Sequence, residues 1–130
     1  MRKKTDFVIN KINELTIKYG EVPPYWVYKP NSHPYSIFWR QGGGEEFADC
    51  FVIWFEENCR TLEDKIIYFK KYSPPPRWLA TVVEFLWEVE GWTDPTFDYT
   101  PYFRQLEEFG FNGISDYQKD LDDEKWLDFN

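Results

Sequence analysis

The spacing of apolar residues along the chain predicts a mainly helical protein. A first helix is expected to start at Thr5 or Asp6 and to run to Tyr19, because apolar residues recur there at intervals of three and four. Gly20 follows in the position where helices often end. One face of this helix should therefore be buried.

A stronger apolar stripe follows Gly42-Gly43-Gly44, which we expect to form a flexible joint before the second helix. Trp54 lies in the middle of this stripe and is predicted to be buried. The spacing predicts that the helix crosses the centre of the core. The residues of the stripe are Phe47, Cys50, Phe51, Trp54 and Phe55.

Further helices are predicted in the second half of the chain. One starts at a capping pattern, Thr61 to Asp64, and another spans Trp78 to Glu90. Thr100-Pro101 opens a fifth, which Gly110 closes, and a short helix follows Ser115. The buried face of the Trp78–Glu90 helix is expected to comprise Leu79, Val82, Val83, Leu86 and Trp87.

Two short runs, residues 25–28 and 35–39, are rich in aromatic and β-branched residues and are separated by a Pro- and Asn-containing turn. They predict a β-hairpin or a two-stranded element within residues 25–39. The expected fold class is α+β, with five or six helices in a single globular domain over residues 1–130.

Composition supports one compact core. The 130 residues include 7 Trp, 9 Tyr and 12 Phe, each of which removes about 150–250 Å² from water when buried. Cys50 and Cys59 lie nine residues apart, which in one helix corresponds to about 13 Å, too far for a disulfide. Reduced thiols, together with the lack of a signal peptide or a membrane-length apolar stretch, predict a cytoplasmic protein.

Charge is distributed unevenly along the chain, whose net charge is −8. Thirteen of its 23 acidic residues, but only three of its 15 basic residues, follow position 83. Such an acidic segment repels phosphates and disfavours nucleic acid as a partner. It favours a cation or a basic protein surface instead, although acids on solvated helix faces also serve solubility alone.

Catalytic patterns are weak, and no enzyme activity is predicted. His33 is the only histidine and precedes a proline in a turn. The triple glycine lacks the Lys-Ser/Thr pair of a phosphate-binding loop. Glu84 and Glu88 could act as an acid–base pair, but acids four apart on a helix usually face solvent.

Three groups of carboxylates could bind calcium, which takes six to eight oxygen ligands. The preferred ones are Glu45, Glu46 and Asp49, beside the triple glycine, and Asp94 and Asp98, within a turn. Neither follows the EF-hand pattern. The third group is the C-terminal tail, with Asp116, Asp120, Asp122, Asp123, Glu124 and Asp128.

An aromatic stretch leading into Trp39–Glu46, the Pro74–Trp78 segment, small size and acidity together give a resemblance to the cyanobacterial calcium-binding protein family CcbP. The resemblance implies reversible Ca²⁺ binding by a compact mixed fold without EF-hands, in a cytoplasmic buffer or signalling sensor. The alternative function is an acidic protein-interaction module, such as an immunity protein or enzyme inhibitor, that covers a basic protein surface. A response of stability to added calcium distinguishes the two.

Overall fold

The computed structural model describes residues 3–129, with side chains described for residues 3–127, so that Met1, Arg2 and Asn130 and the side chains of Asp128 and Phe129 lie outside it. Within this range every regular element is helical. The α-helices are α1 (Asp6–Tyr19), α2 (Tyr25–Tyr28), α3 (Gly42–Asn58), α4 (Leu62–Lys71), α5 (Leu79–Trp87), α6 (Thr100–Glu108) and α7 (Tyr117–Leu121). Short 3₁₀ helices lie at Ile37–Arg40, Pro76–Trp78, Gly91–Thr93, Ile114–Asp116 and Glu124–Phe129.

The predicted hairpin at residues 25–39 is wrong, and the fold is all-α over the described residues rather than α+β. Residues 25–28 form α2, and a 3₁₀ helix replaces the second strand. Neighbouring side chains of a strand point to opposite faces, but Tyr25 and Trp26 both pack against Trp78. Trp26 Nε1 also donates to the Tyr72 carbonyl oxygen at 3.0 Å. Tertiary contacts therefore override the local strand preference.

Helix α3 forms the centre of the core, as its apolar stripe predicts. Phe47, Phe51 and Phe55 are almost completely buried. Phe51 and Phe55 both meet the ring of Phe85 on α5, at centroid distances of 5.2 Å. Trp54 lies at the edge of the stripe and is only partly buried, with its ring 5.4 Å from that of Tyr68.

The triple glycine is part of α3 and not a flexible joint before it. Gly44 is buried against the 3₁₀ helix Ile37–Arg40, and a Cβ atom at this position would collide with the Phe38 carbonyl group. The absence of a side chain therefore lets the start of α3 pack closely on the preceding segment.

Helix ends follow the predicted signals in several places. Thr5 caps α1, and Thr61 with Asp64 forms the capping box of α4. Helix α5 is shorter than predicted, because Trp78 belongs to a 3₁₀ helix and Glu88 adopts the left-handed conformation at φ 53°. No helix within residues 3–129 is long and apolar enough to cross a membrane.

The buried Arg77 holds the C-terminal segment in place. Its guanidinium donates to the carbonyl oxygens of Ser32 and Pro30 at 2.7 and 2.8 Å and pairs with Asp120 at 3.3 Å. The same group lies 4.0 Å from the ring centre of Trp126. One cation thus joins the loop after α2, the start of α5 and the C-terminal helices.

Candidate functional site

The first predicted calcium group is divided in the structure. Glu46 and Asp49 line a small cavity of about 350 Å³ together with Lys3 and Thr5 near the start of α1. Glu45, which is exposed, does not line that cavity. The glycine loop expected to supply backbone carbonyls is helical, so its carbonyls enter the helix ladder.

The second group is built into local turns. Asp94 accepts hydrogen bonds from the backbone N–H and the hydroxyl of Thr96, at 2.9 and 2.7 Å. Asp98 accepts one from the backbone N–H of Thr100 at 2.9 Å. The hydrogen bonds from Thr96 and Thr100 lower the pKa of both carboxyls. These acids therefore shape the approach to α6.

The acids of the tail are also engaged individually. Asp120 pairs with Arg77, Asp122 accepts from Gln118 at 2.6 Å, and Asp123 accepts from the backbone of Lys125 at 3.0 Å. Among the residues that the structure describes, no three His, Cys, Asp or Glu side chains converge as a metal ion would require. Calcium binding at Glu45, Glu46, Asp49, Asp94 or Asp98 stays a prediction from the sequence.

A groove of about 840 Å³ is bordered by α3 and α5, and we call it the α3–α5 groove. Ala48, Val52 and Phe55 contribute from α3, and Thr81 and Phe85 from α5. This volume lies within the range of pockets that hold small organic ligands, about 300–1,000 Å³. Its lining combines aromatic and aliphatic side chains with six charged residues.

Aromatic rings form one end of the groove. Tyr25 stacks on Trp78 with ring centres 5.3 Å apart, and Trp39 meets Trp78 edge-on at 5.9 Å. Trp78 is 2% exposed, and its Nε1–H is buried without a hydrogen-bond partner among the described residues. A buried donor left unpaired costs about 1–3 kcal/mol. An acceptor that reached this N–H would remove that cost.

Glu84 also lines the groove and lies six positions after Trp78 in the chain. Its Oε2 accepts hydrogen bonds from the backbone N–H of Trp92 and the hydroxyl of Tyr99, both at 3.3 Å. Burial raises the pKa of Glu84 to about 7, and these two hydrogen bonds counteract the rise only in part. The carboxyl group is therefore divided between its charged and neutral forms near neutral pH.

Three tyrosines lie near Glu84. Tyr99 donates to it, and Tyr35 and Tyr117 lie close enough for its charge to act on their phenols. Burial, followed by the nearby charges, raises the pKa of all three phenols. They remain neutral at physiological pH and leave Glu84 as the ionising group of this cluster.

Opposite charges form the other end of the groove. Lys65 of α4 has a side chain only 11% exposed and lies 3.8 Å from the exposed Glu88. Arg60 and Glu56 line the same region. These side chains give the groove a charged region besides its aromatic one.

Sequence reasoning placed Glu84 and Glu88 together as solvent-facing helix acids, and for Glu84 the structure corrects this. Glu84 is partly buried, while Glu88 is exposed. A usable signal was present, because Glu84 is the only charged residue between Leu79 and Trp87. A helix that is apolar on nearly every face is buried, and a lone acid within it is desolvated.

The residues considered for nucleophilic catalysis have structural roles. His33 accepts the Tyr35 N–H at Nδ1, at 3.0 Å, which leaves Nε2 protonated to donate to the Leu121 carbonyl at 2.7 Å. Burial raises the pKa of the free thiols Cys50 and Cys59 to about 11. Both thiols are therefore protonated and weakly reactive at neutral pH.

Comparison with known proteins assigns no family to the chain. No protein-family model, no curated protein and no solved structure matches it. The resemblance to the cyanobacterial calcium-binding family therefore remains an expectation, and the functional interpretation depends on the site itself.

Proposed function

We propose that this protein binds a small organic molecule in the α3–α5 groove. The ligand has a flat apolar part, which packs against the aromatic end, and a hydrogen-bond acceptor, which meets Trp78. The observation that carries the proposal is Trp78, a residue that lines the 840 Å³ groove and whose buried Nε1–H has no partner among the described residues.

The free-energy cost of a buried, unpaired donor favours a ligand-binding role for this aromatic cluster over a purely structural role. Native proteins pair almost all buried polar groups, so an orphaned donor beside a cavity indicates a missing partner. The rings of Tyr25 and Trp39 fix the indole of Trp78 from two sides. The donor is thus held in place before the ligand arrives, which lowers the entropic cost of binding.

Binding is proposed in preference to catalysis because the groove lacks a nucleophile with an adjacent base. Cys59, which lines it, has its pKa raised to about 11 by burial. Calcium binding and the covering of a basic protein surface remain predictions from the sequence, and both can be tested separately from the groove.

A titration with para-methoxyphenethyl alcohol tests the proposal, since this probe joins an aromatic ring to an ether acceptor. The indole N–H resonance of Trp78 in a heteronuclear NMR spectrum, assigned with the Trp78→Phe variant, should shift saturably at millimolar probe. The change is expected because a new hydrogen bond deshields the indole proton.

Two tryptophan substitutions provide the matched comparison. Thr81→Trp should fill the groove and abolish the shift, because Thr81 lies on the groove wall of α5. Ile17→Trp adds the same ring to a residue of α1 that is 86% exposed, and it should leave binding unchanged. No shift in the parent protein, or equal affinity in the Thr81→Trp variant, would overturn the proposed function.

A further inference from the structure

Glu84 gives the groove a second recognition element besides the indole of Trp78. We propose that the ligand carries a positively charged organic ammonium group, which binds the free oxygen of Glu84 and lies against the ring of Trp92. This inference rests on the proposed function, because it assigns a charge to the molecule that the groove holds.

The hydrogen bonding of Glu84 leaves one oxygen available. Trp92 and Tyr99 both donate to Oε2, whereas Oε1 receives no hydrogen bond within residues 3–127. The ion pairs that these residues form do not include Glu84 either. A partly desolvated carboxylate without a counter-ion is costly, and a cationic ligand would supply the missing charge.

The surroundings of Glu84 favour a cation. Trp92 lies on the groove wall, is 67% exposed, and presents the type of ring over which ammonium groups bind most strongly. The charged residues that line the groove carry an excess of negative charge, since four are acids and two are bases: Glu56, Glu84, Glu88, Glu90, Arg60 and Lys65. Lys65 is already paired with Glu88.

The spacing of the two recognition elements limits the size of the ligand. Six residues separate Trp78 from Glu84, which corresponds to about 9 Å along a helix axis. An acceptor and an ammonium group at the two ends of one aromatic ring span a comparable length. A ligand of about this length is therefore the kind of molecule that we propose.

Binding of an ammonium group should be linked to the ionisation of Glu84. Tyr35, Tyr99 and Tyr117 face the carboxyl and stay neutral near pH 7, since burial raises the pKa of each phenol, while Glu90 adds negative charge. Because the pKa of Glu84 is about 7, its charged form increases about tenfold between about pH 6 and about pH 8. Affinity for the cation should rise by a similar factor, although a neutral ligand should not respond.

The test compares para-methoxyphenethylamine, which is cationic, with the neutral para-methoxyphenethyl alcohol, by calorimetry and by the Trp78 indole resonance. At about pH 8 the amine should bind at least about tenfold more tightly, the gain expected for about 1.4 kcal/mol of charge pairing. The Glu84→Gln variant should lose this preference for the amine but should still bind the alcohol. The reason is that the side-chain oxygen of glutamine still accepts the hydrogen bond from Tyr99. Glu108→Gln, which removes an exposed acid of α6 that does not line the groove, is the control and should keep the preference.

The outcomes separate the inference from the proposed function. If the alcohol binds and the amine binds no more tightly, or if Glu84→Gln leaves the preference intact, the charge assignment is wrong and the groove function stands. If neither probe moves the Trp78 resonance, the proposed function fails and the inference falls with it. A preference for the amine that is lost in Glu84→Gln, weakens towards about pH 6 and survives in Glu108→Gln supports both.

Discussion

At the scale of the residue, the end of α5 depends on a strained backbone position. Glu88 is the only non-glycine residue with positive φ in the described chain. Because an L-residue pays about 1 kcal/mol in the left-handed region, Glu88→Gly should stabilise the protein by about 0.5–1 kcal/mol and raise Tm by roughly 2–5 °C. Differential scanning calorimetry measures the shift. Glu88→Ala keeps the unfavourable φ, so an equal rise in that variant would refute the explanation.

A second prediction at this scale concerns the two sides of α3. Phe51→Ala should cost about 3–5 kcal/mol, because Phe51 is fully buried among Phe47, Phe55 and Phe85. Trp54→Ala should cost only about 1–2 kcal/mol, since Trp54 is partly exposed beside Tyr68. Urea denaturation of the two variants measures both values. A reversed order would show that α3 is rotated relative to the core.

At the scale of the element, one ion pair attaches α7 to the start of α5. Arg77 and Asp120 have side chains only 8% and 14% exposed, so Asp120→Ala leaves a buried guanidinium without its counter-ion. The expected loss is about 3 kcal/mol, with faster amide hydrogen exchange throughout α7. Asp122→Ala, an exposed site bonded to Gln118, should change stability by less than about 0.5 kcal/mol. Equal losses in the two variants would contradict the role of the pair.

At the scale of the whole molecule, stability should depend on pH through Glu84. Folding raises the pKa of this carboxyl from about 4.5 to about 7, so the folded protein holds the proton more tightly and loses stability as pH rises between these values. Glu84→Gln should therefore match the parent near pH 4 and exceed it by about 1–2 kcal/mol near pH 8, after allowance for solvent screening. Thermal melts across this pH range measure the difference. A constant difference at all pH values would exclude Glu84 as the cause.

The calcium prediction also concerns the whole molecule, because it is based on the overall acidity of the chain as well as on the selected carboxylates. If calcium binds, chelator-treated protein should gain about 2.7 kcal/mol of stability at a hundredfold excess over Kd, which raises Tm by several degrees. Asp94→Asn and Asp98→Asn should reduce the gain, and magnesium should have less effect. Calorimetric titration measures the binding directly. The absence of heat and of a thermal shift at millimolar calcium would end this interpretation.

Whether an element could be predicted from the sequence depended on how far apart along the chain its stabilising contacts lie. The stripe of α3 and the capping box at Thr61 depend on side chains within a few turns, so both could be recognised from spacing alone. The 25–39 segment could not, because its conformation depends on contacts of Trp26 with Tyr72 and of Tyr25 with Trp78, each more than forty residues away. Local strand preference favoured the wrong structure there.

The candidate site likewise combines features that local sequence determines with features that depend on contacts between distant segments. The sequence by itself determined the helical stripes, the acidic C-terminal third and the lone acid between Leu79 and Trp87, because these depend on composition and local spacing. Only the tertiary structure decided that α3 and α5 border a groove, that the Trp78 indole is left without a partner within the described chain, and that Glu84 is desolvated there. Burial and unpaired hydrogen bonds arise from the packing of distant segments, so no local pattern of residues specifies them.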